Sequence, residues 1–437
     1  MKDAVFITYP DAVTKAGEKP LETLSRLDLS LFDATHVLPF FPSSSDGGFA
    51  VTDYRRVDAR FGSWSDLPRP LMVDLVFNHT SARHPWVKKR PEYYLTLDEP
   101  PKTSLFRPRD TPLFTKVNGR FYWSTFGPDQ LDLNLYNESL RTELEEVIEL
   151  YIQQGARLLR IDAAPYLFKD YHAISTPDTH AYIQSLIEQY PEVDFVVEAN
   201  RGQDEIASYM RYAYAYNFSL APLVLWALVF GEVRPLVKHL NTSHERCFNF
   251  LASHDGIGLS AAKQYVDTSR LVRYVKELGW SASGYELNIN YLDALGGDVR
   301  TFLLAHALLF SLRGRPAVYY HSYFGSRGVQ AASGRAVNRE RLDYDSLQQE
   351  LRAGGVRARV REEMDRLLAA RNQYLSDAPQ EAVLEGGLLV LVRGEVTCLF
   401  NFSDQEIALE EPVQDLVRGS EVRVLEPFGY AWTKKYV

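Results

Sequence analysis

Eight short apolar runs, several of them separated by helix-length stretches, constrain the fold of this chain more than any other feature. They are AVFITYP (4–10), HVLPFF (36–41), LMVDLVFN (71–78), ARLLRIDA (156–163), DFVVEAN (194–200), AYNFSLA (215–221), CFNFLASH (247–254) and PAVYYHSY (316–323). Between several of them lie segments of helical period, such as ESLRTELEEVIELYIQQ, DTHAYIQSLIEQY and DVRTFLLAHALLFSLR. Eight βα units predict an α/β fold of the (β/α)8 TIM-barrel type. A doubly wound sheet is the alternative, but no Gly-rich phosphate turn follows the first run.

Two interruptions set the predicted domain organisation. About sixty residues rich in Pro, Arg and aromatics (79–137) follow the third run, too many for an ordinary βα loop. They are expected to form a small inserted domain. After residue 355 one helix, EMDRLLAARNQYL, gives way to alternating runs such as GLLVLVRG and VTCLFNFS. The barrel is therefore assigned to 1–78 and 138–354, and a C-terminal all-β domain to 355–437. Only six residues, Ser65 to Pro70, separate Trp64 from the third run. This predicts that the preceding helix is nearly absent and the barrel locally open.

Three of the runs end on a carboxylate: Asp162 in LLRIDA, Glu198 in DFVVEA and Asp255 in FLASHD. Buried charge is costly unless it is paired or used. At the C-terminal rim of one barrel these acids would converge, and converging carboxylates perform acid/base and covalent chemistry on sugars. Arg160 lies two residues before Asp162 and so shares its strand face. An adjacent guanidinium keeps a carboxylate ionised, as a nucleophile requires, although a plain interior ion pair fits equally well. Glu198 follows apolar residues, which raises a carboxyl pKa and suits a general acid; an edge charge facing solvent is the bland alternative. His254-Asp255 fits either an orienting pair for a substrate hydroxyl or a helix cap. Asp74 and Asn78, in DLVFNH, fit core hydrogen bonding as well as a site.

Composition narrows the partners. The net charge of −9, with no Lys/Arg block to offset it, argues against nucleic acid. Cys247 and Cys398 stand far apart in apolar runs and read as reduced core residues. The N-terminal MKDAVFITYP has no signal-peptide pattern, and LAPLVLWALVFG is too short for a membrane span. A cytoplasmic protein, monomeric or homodimeric, is expected.

Taken together, DLVFNH, LLRIDA, VVEA and ASHD, in that order, resemble the four signature regions of the α-amylase superfamily, glycoside hydrolase family 13. The resemblance spans about the whole chain. It implies Asp162 as nucleophile, Glu198 as general acid/base and Asp255 as transition-state stabiliser, with Arg160, His79 and His254 holding sugar and nucleophile. Further segments are similar to the sucrose phosphorylase branch. LPFFPSSSDGGFAVTDYRRVDARFGSW would place Asp46 and Phe49 at the glucose pocket, and FRPRD (106–110) would bring Arg109 to phosphate. YELNINYLDAL (285–295) would form an acceptor loop that includes Asn288, and GRAVNR (334–339) would supply Arg339. Phe126 and Tyr166 are implied as further sugar contacts. Arg suits phosphate because it binds bidentately, whereas an RPR loop on its own is commonly a solvated surface element.

The resemblance implies a retaining α-glucoside phosphorylase. It would convert an α-glucoside of the sucrose, glucosylglycerate or glucosylglycerol type plus phosphate into α-glucose 1-phosphate and free acceptor. YELN stands where the branch carries a Tyr-Gln pattern associated with fructose, a form more similar to glucosylglycerate and glucosylglycerol phosphorylases. After Glu198, ANRGQDE lacks the His usual in sucrose phosphorylases. Inorganic phosphate would be a co-substrate, with no cofactor and no required metal. The alternatives are an α-glucosidase or transglucosidase using water or a sugar acceptor, a non-catalytic sugar-binding relative, and a calcium-stabilised amylase with Asn78 as ligand.

Overall fold

The computed structural model describes residues 2–100, 111–169, 174, 176–242, 245–329 and 334–434. Its centre is a closed parallel barrel of eight strands: β1 (Val5–Thr8), β2 (Ala34–Val37), β3 (Leu71–Leu75), β4 (Ala156–Ile161), β5 (Asp194–Val197), β6 (Tyr214–Tyr216), β7 (Cys247–Phe250) and β8 (Arg315–Tyr319). Each strand falls within or overlaps one of the eight apolar runs. Most strand residues are buried on both faces, which is why the runs are continuously apolar instead of alternating.

Helices cover the outside. In α1 (Glu138–Gln153), Leu140, Leu144, Val147, Ile148 and Tyr151 form one buried stripe, and the Asn137 side chain caps the helix by accepting from the Leu140 N–H. The other principal helices are α2 (Thr176–Gln189), α3 (Leu220–Phe230), α4 (Val299–Ser311) and α5 (Val356–Tyr374). The apolar α3 has only 11 residues. Among the described residues no helix is long and apolar enough to cross a membrane.

One expectation is corrected. Only a 3-10 turn, Trp64–Asp66, precedes β3, yet the barrel does not open there. Thr35 and His36 of β2 pair with Leu71 and Met72 of β3. Aromatic side chains occupy the space of the missing helix. Phe41 stacks on Tyr151 of α1 at 5.2 Å between centroids, and Trp64 packs against both Phe40 and Tyr151. Aromatics bury enough apolar surface per side chain to seal such a gap.

Within the segment after β3, His79–Ser81 pairs antiparallel with Gln130–Asp132, and Thr96–Leu97, Phe114–Val117 and Arg120–Trp123 form a small sheet. Beyond α5 the chain forms antiparallel sheets, the larger from Gln380–Glu385, Leu388–Arg393, Val396–Phe400 and Tyr430–Thr433. The buried Arg371 of α5 ties this region to the barrel, donating to Asp3 and to the carbonyls of Phe310, Leu312 and Gly314. Both cysteines are buried, and among the described residues they form no disulfide.

Candidate active site

The strand ends of β3, β4 and β5 are tied together by backbone bonds before any side chain contributes. The Asp162 N–H donates to Leu75 O and the Glu198 N–H to Ile161 O. Asp74 and Arg160 are register partners on β3 and β4. Arg160 Nη1 donates to Asp74 and, at 2.8 Å, to Asp162 Oδ1; its Nη2 lies 4.0 Å from Glu198 Oε2. Directly after Asp162 the chain turns through Ala163, a left-handed residue at φ 49°. For a residue with a Cβ this conformation costs about 1–2 kcal/mol. It aims the Ala163 N–H at Glu198 Oε2, 2.8 Å away. The turn thus fixes the first two acids beside each other.

Asp255 approaches from the end of β7. Arg335 Nη1 sits 2.7 Å from its Oδ1, with Arg339 Nη2 and His254 Nε2 each at 3.6 Å. A substituent on Gly256 would lie 2.6 Å from Leu287 O, so only glycine lets the hairpin carrying Tyr285 and Glu286 approach this closely. The hairpin comprises Ile257–Gly258, Ser281–Ala282 and Glu286–Asn288.

One cavity is walled by Asp46, Phe49, His79, Phe126, Arg160, Asp162, Glu198, His254, Asp255 and Arg339, all predicted from sequence, together with Gln130, Asn200, Tyr285, Glu286 and Arg335. Asp46 accepts from Gln130 Nε2 at 3.0 Å, and Phe49 stacks on His254 at 5.0 Å with an 8° tilt. Two expected contacts are not part of this wall. Tyr166 packs edge-on against Phe126, and Asn288 lies buried behind Gly256. The hairpin presents Tyr285 and Glu286 instead. Arg109 lies outside the described residues. A larger cavity of about 270 Å³ opens on the other side of Gly47 and Arg339, but its walls contain none of the three acids.

The acids differ in charge environment. Burial disfavours ionisation of Asp74, yet His36 and Arg160 outweigh it and hold the carboxyl at about 2. At Asp255 burial is likewise outweighed, here by Arg335 and Arg339, and the carboxyl stays well below the usual range. Asp162 behaves oppositely. Burial, with the charges of Glu198, Asp74 and Asp255, pushes it up to about 8 against Arg160. Arg160, which also bonds Asp74, offsets only part of this. Burial raises Glu198 too, as expected. Asp162 and Glu198, both raised and side by side, titrate as a pair. Arg160 donates directly to Asp162 but stands 4.0 Å from Glu198, which favours the proton on Glu198. Burial lowers His254 to about 3, so it is neutral.

Asn78, weighed as a calcium ligand, is bound to a lysine. The buried Lys169 Nζ donates to Asn78 Oδ1 at 2.6 Å and to Tyr166 O, and pairs with Asp132 at 2.9 Å. An ammonium thus joins β3 to the segment that follows it. Among the described residues no group of three or more His, Cys, Asp or Glu is placed to hold a metal ion.

Sequence reasoning missed Arg335, four residues before Arg339 in GRAVNR, and Glu286, next to the noted Tyr285. Arg335 could have been found from charge balance: three acids at one rim need more than Arg160 and Arg339 to neutralise them.

Residues 27–221 match the family model described as alpha amylase, catalytic domain. Three relatives are named glucosylglycerate phosphorylase. That of Spirochaeta thermophila is 37% identical, with 92% of this chain and 81% of the relative covered. That of Allomeiothermus silvanus is 34% identical over 99% and 91%, and that of Escherichia coli 33% over 85% and 78%. A sucrose 6F-phosphate phosphorylase from Thermoanaerobacter thermosaccharolyticum shares the fold, with a TM-score of 0.79 at 22% identity over 97% of this chain and 98% of that one. The chain belongs to the α-amylase family, glycoside hydrolase family 13, and within it to the branch of glucosylglycerate and sucrose phosphorylases.

Proposed function

We propose that this enzyme is a retaining glucosylglycerate phosphorylase, cleaving the α-glucoside with phosphate to give α-D-glucose 1-phosphate and glycerate. The observation that carries this reading is the name shared by three relatives at 33–37% identity. A cavity with a paired Asp162 and Glu198 supports it.

In the first displacement Asp162 attacks the anomeric carbon while Glu198 gives its proton to the departing glycerate oxygen. The product is a β-glucosyl ester on Asp162. In the second, Glu198 takes a proton from phosphate as a phosphate oxygen attacks the same carbon, and the configuration is retained. Retention requires carboxyl groups about 5–5.5 Å apart, close enough for direct attack. Asp255, held anionic by Arg335 and Arg339, stabilises positive charge developing on the sugar. Asp46, His79, His254 and Arg339 orient the glucose hydroxyls, with Phe49 and Phe126 against the ring. Arg109 is assigned to phosphate from FRPRD alone.

The test is to follow glucosylglycerate and phosphate by NMR. Stoichiometric α-glucose 1-phosphate is expected; free glucose as the main product, independent of phosphate, would mean a hydrolase.

A further inference from the structure

Arg335 and Glu286 form an ion pair in the cavity wall that the double displacement does not use. Arg335 Nη2 lies 3.0 Å from Glu286 Oε2, and its Nε donates to both Glu286 oxygens at 3.3 Å. Its remaining edge meets Asp255. Both side chains are mostly buried, so a planar fork with five donors is committed to two carboxylates inside the substrate cavity.

This wall belongs to the cavity that holds Glu198. Tyr285, Glu286 and Arg335 line it together with Glu198 and Asp255. A group that receives a proton from Glu198 therefore enters beside Tyr285, Glu286 and Arg335. The other cations of the cavity have their own partners: Arg160 bonds Asp74 and Asp162, and Arg339 lies 3.6 Å from Asp255 Oδ1 and against Gly47 and the Tyr9 ring, at the Asp46 end. A buried acceptor carboxylate needs a partner, and beside an unmodified Glu286 it meets a like charge.

We infer that Arg335 reads the carboxylate of an acidic acceptor and that Glu286 is its internal competitor, occupying the same edge of the guanidinium when the acceptor is absent. The inference rests on the proposed phosphorylase reading for the identity of the acceptor. Glu286 sits on a strand only three residues long, paired through few residues to its neighbours, and can yield its place without disturbing the barrel. Asp255 keeps the other edge throughout, so exchange of one carboxylate for another leaves the local charge unchanged.

Glu286→Gln tests this, because glutamine keeps the shape and an oxygen acceptor for Arg335 while removing the competing charge. Glycerate and glycerol differ by one carboxylate. Their binding is measured by titration calorimetry in phosphate-free buffer, and their use as acceptors by kcat/KM with α-glucose 1-phosphate as donor. In Glu286→Gln, glycerate is expected to bind about fivefold or more tightly and glycerol to change less than about twofold. Arg335→Lys is expected to lower the glycerate-to-glycerol ratio of kcat/KM about tenfold, since the bidentate edge is lost. Unchanged or weaker glycerate binding in Glu286→Gln, or equal shifts for both ligands, overturns the inference. Tighter glycerate binding with no transfer to any acceptor leaves Arg335 assigned and rejects the phosphorylase reading; transfer at an unchanged ratio in both variants does the reverse.

Discussion

Arg160 Nη1 bonds Asp74 and Asp162 at once, so one guanidinium nitrogen joins the barrel interior to the proposed nucleophile. The shared nitrogen explains why two acids on neighbouring strands differ so much. Asp74 also receives His36 Nε2 at 2.8 Å and is held ionised, while Asp162 retains Glu198 as a competing acid.

Removing that guanidinium should damage stability and activity together. Arg160→Ala leaves Asp74 buried with only His36, and breaking a buried pair costs about 3–5 kcal/mol. Urea denaturation should show a loss of this size. A loss below about 1 kcal/mol would mean that His36 alone suffices.

Asp162→Asn should stabilise the protein while abolishing turnover. The folded carboxyl is raised to about 8, above an unfolded value of roughly 3.9. The folded state therefore binds more protons, and this contribution is present at low pH and fades as pH rises through about 8. The gain in unfolding midpoint from Asp162→Asn should be larger at pH 8 than at pH 5. A gain that is larger at pH 5 would contradict the shift.

Glu198→Gln removes the proton donor and leaves the nucleophile. Activity on glycosides with poor leaving groups should fall by about 10²–10⁴. Glucosyl fluoride, whose leaving group needs less help, should lose far less in forming the adduct. Equal losses on both substrates would place Glu198 outside proton transfer.

Lys169 should carry the stabilising role considered for calcium. Lys169→Met leaves Asp132 buried without its cation and should cost about 3–5 kcal/mol. Chelator or millimolar calcium should leave the unfolding midpoint of the unaltered protein unchanged. A midpoint that rises with calcium would contradict this.

Much of the barrel was legible because its strands are buried on both faces and so read as continuous apolar runs. Asp162, Glu198 and Asp255 stood out for the same reason, each ending such a run. The closure at β2–β3 was not legible, because Phe40, Phe41, Trp64 and Tyr151 meet only in three dimensions. That Arg160 also bonds Asp74 was not legible, because the two lie 86 residues apart in sequence. Lys169 carried no local signal: its partners Asn78 and Asp132 come from other parts of the chain, 91 residues away in the case of Asn78. Strand alternation turns Glu286 and Asn288 the same way, so YELN alone does not separate them; burial of Asn288 behind Gly256 does.

The proposed reaction is glucosyl transfer between phosphate and an acidic acceptor. The most direct measurement is phosphate release from α-glucose 1-phosphate with fructose, glycerate, glycerol, fructose 6-phosphate or water as acceptor. Release should be fastest with glycerate and slow with water. Release no faster with any acceptor than with water would contradict it.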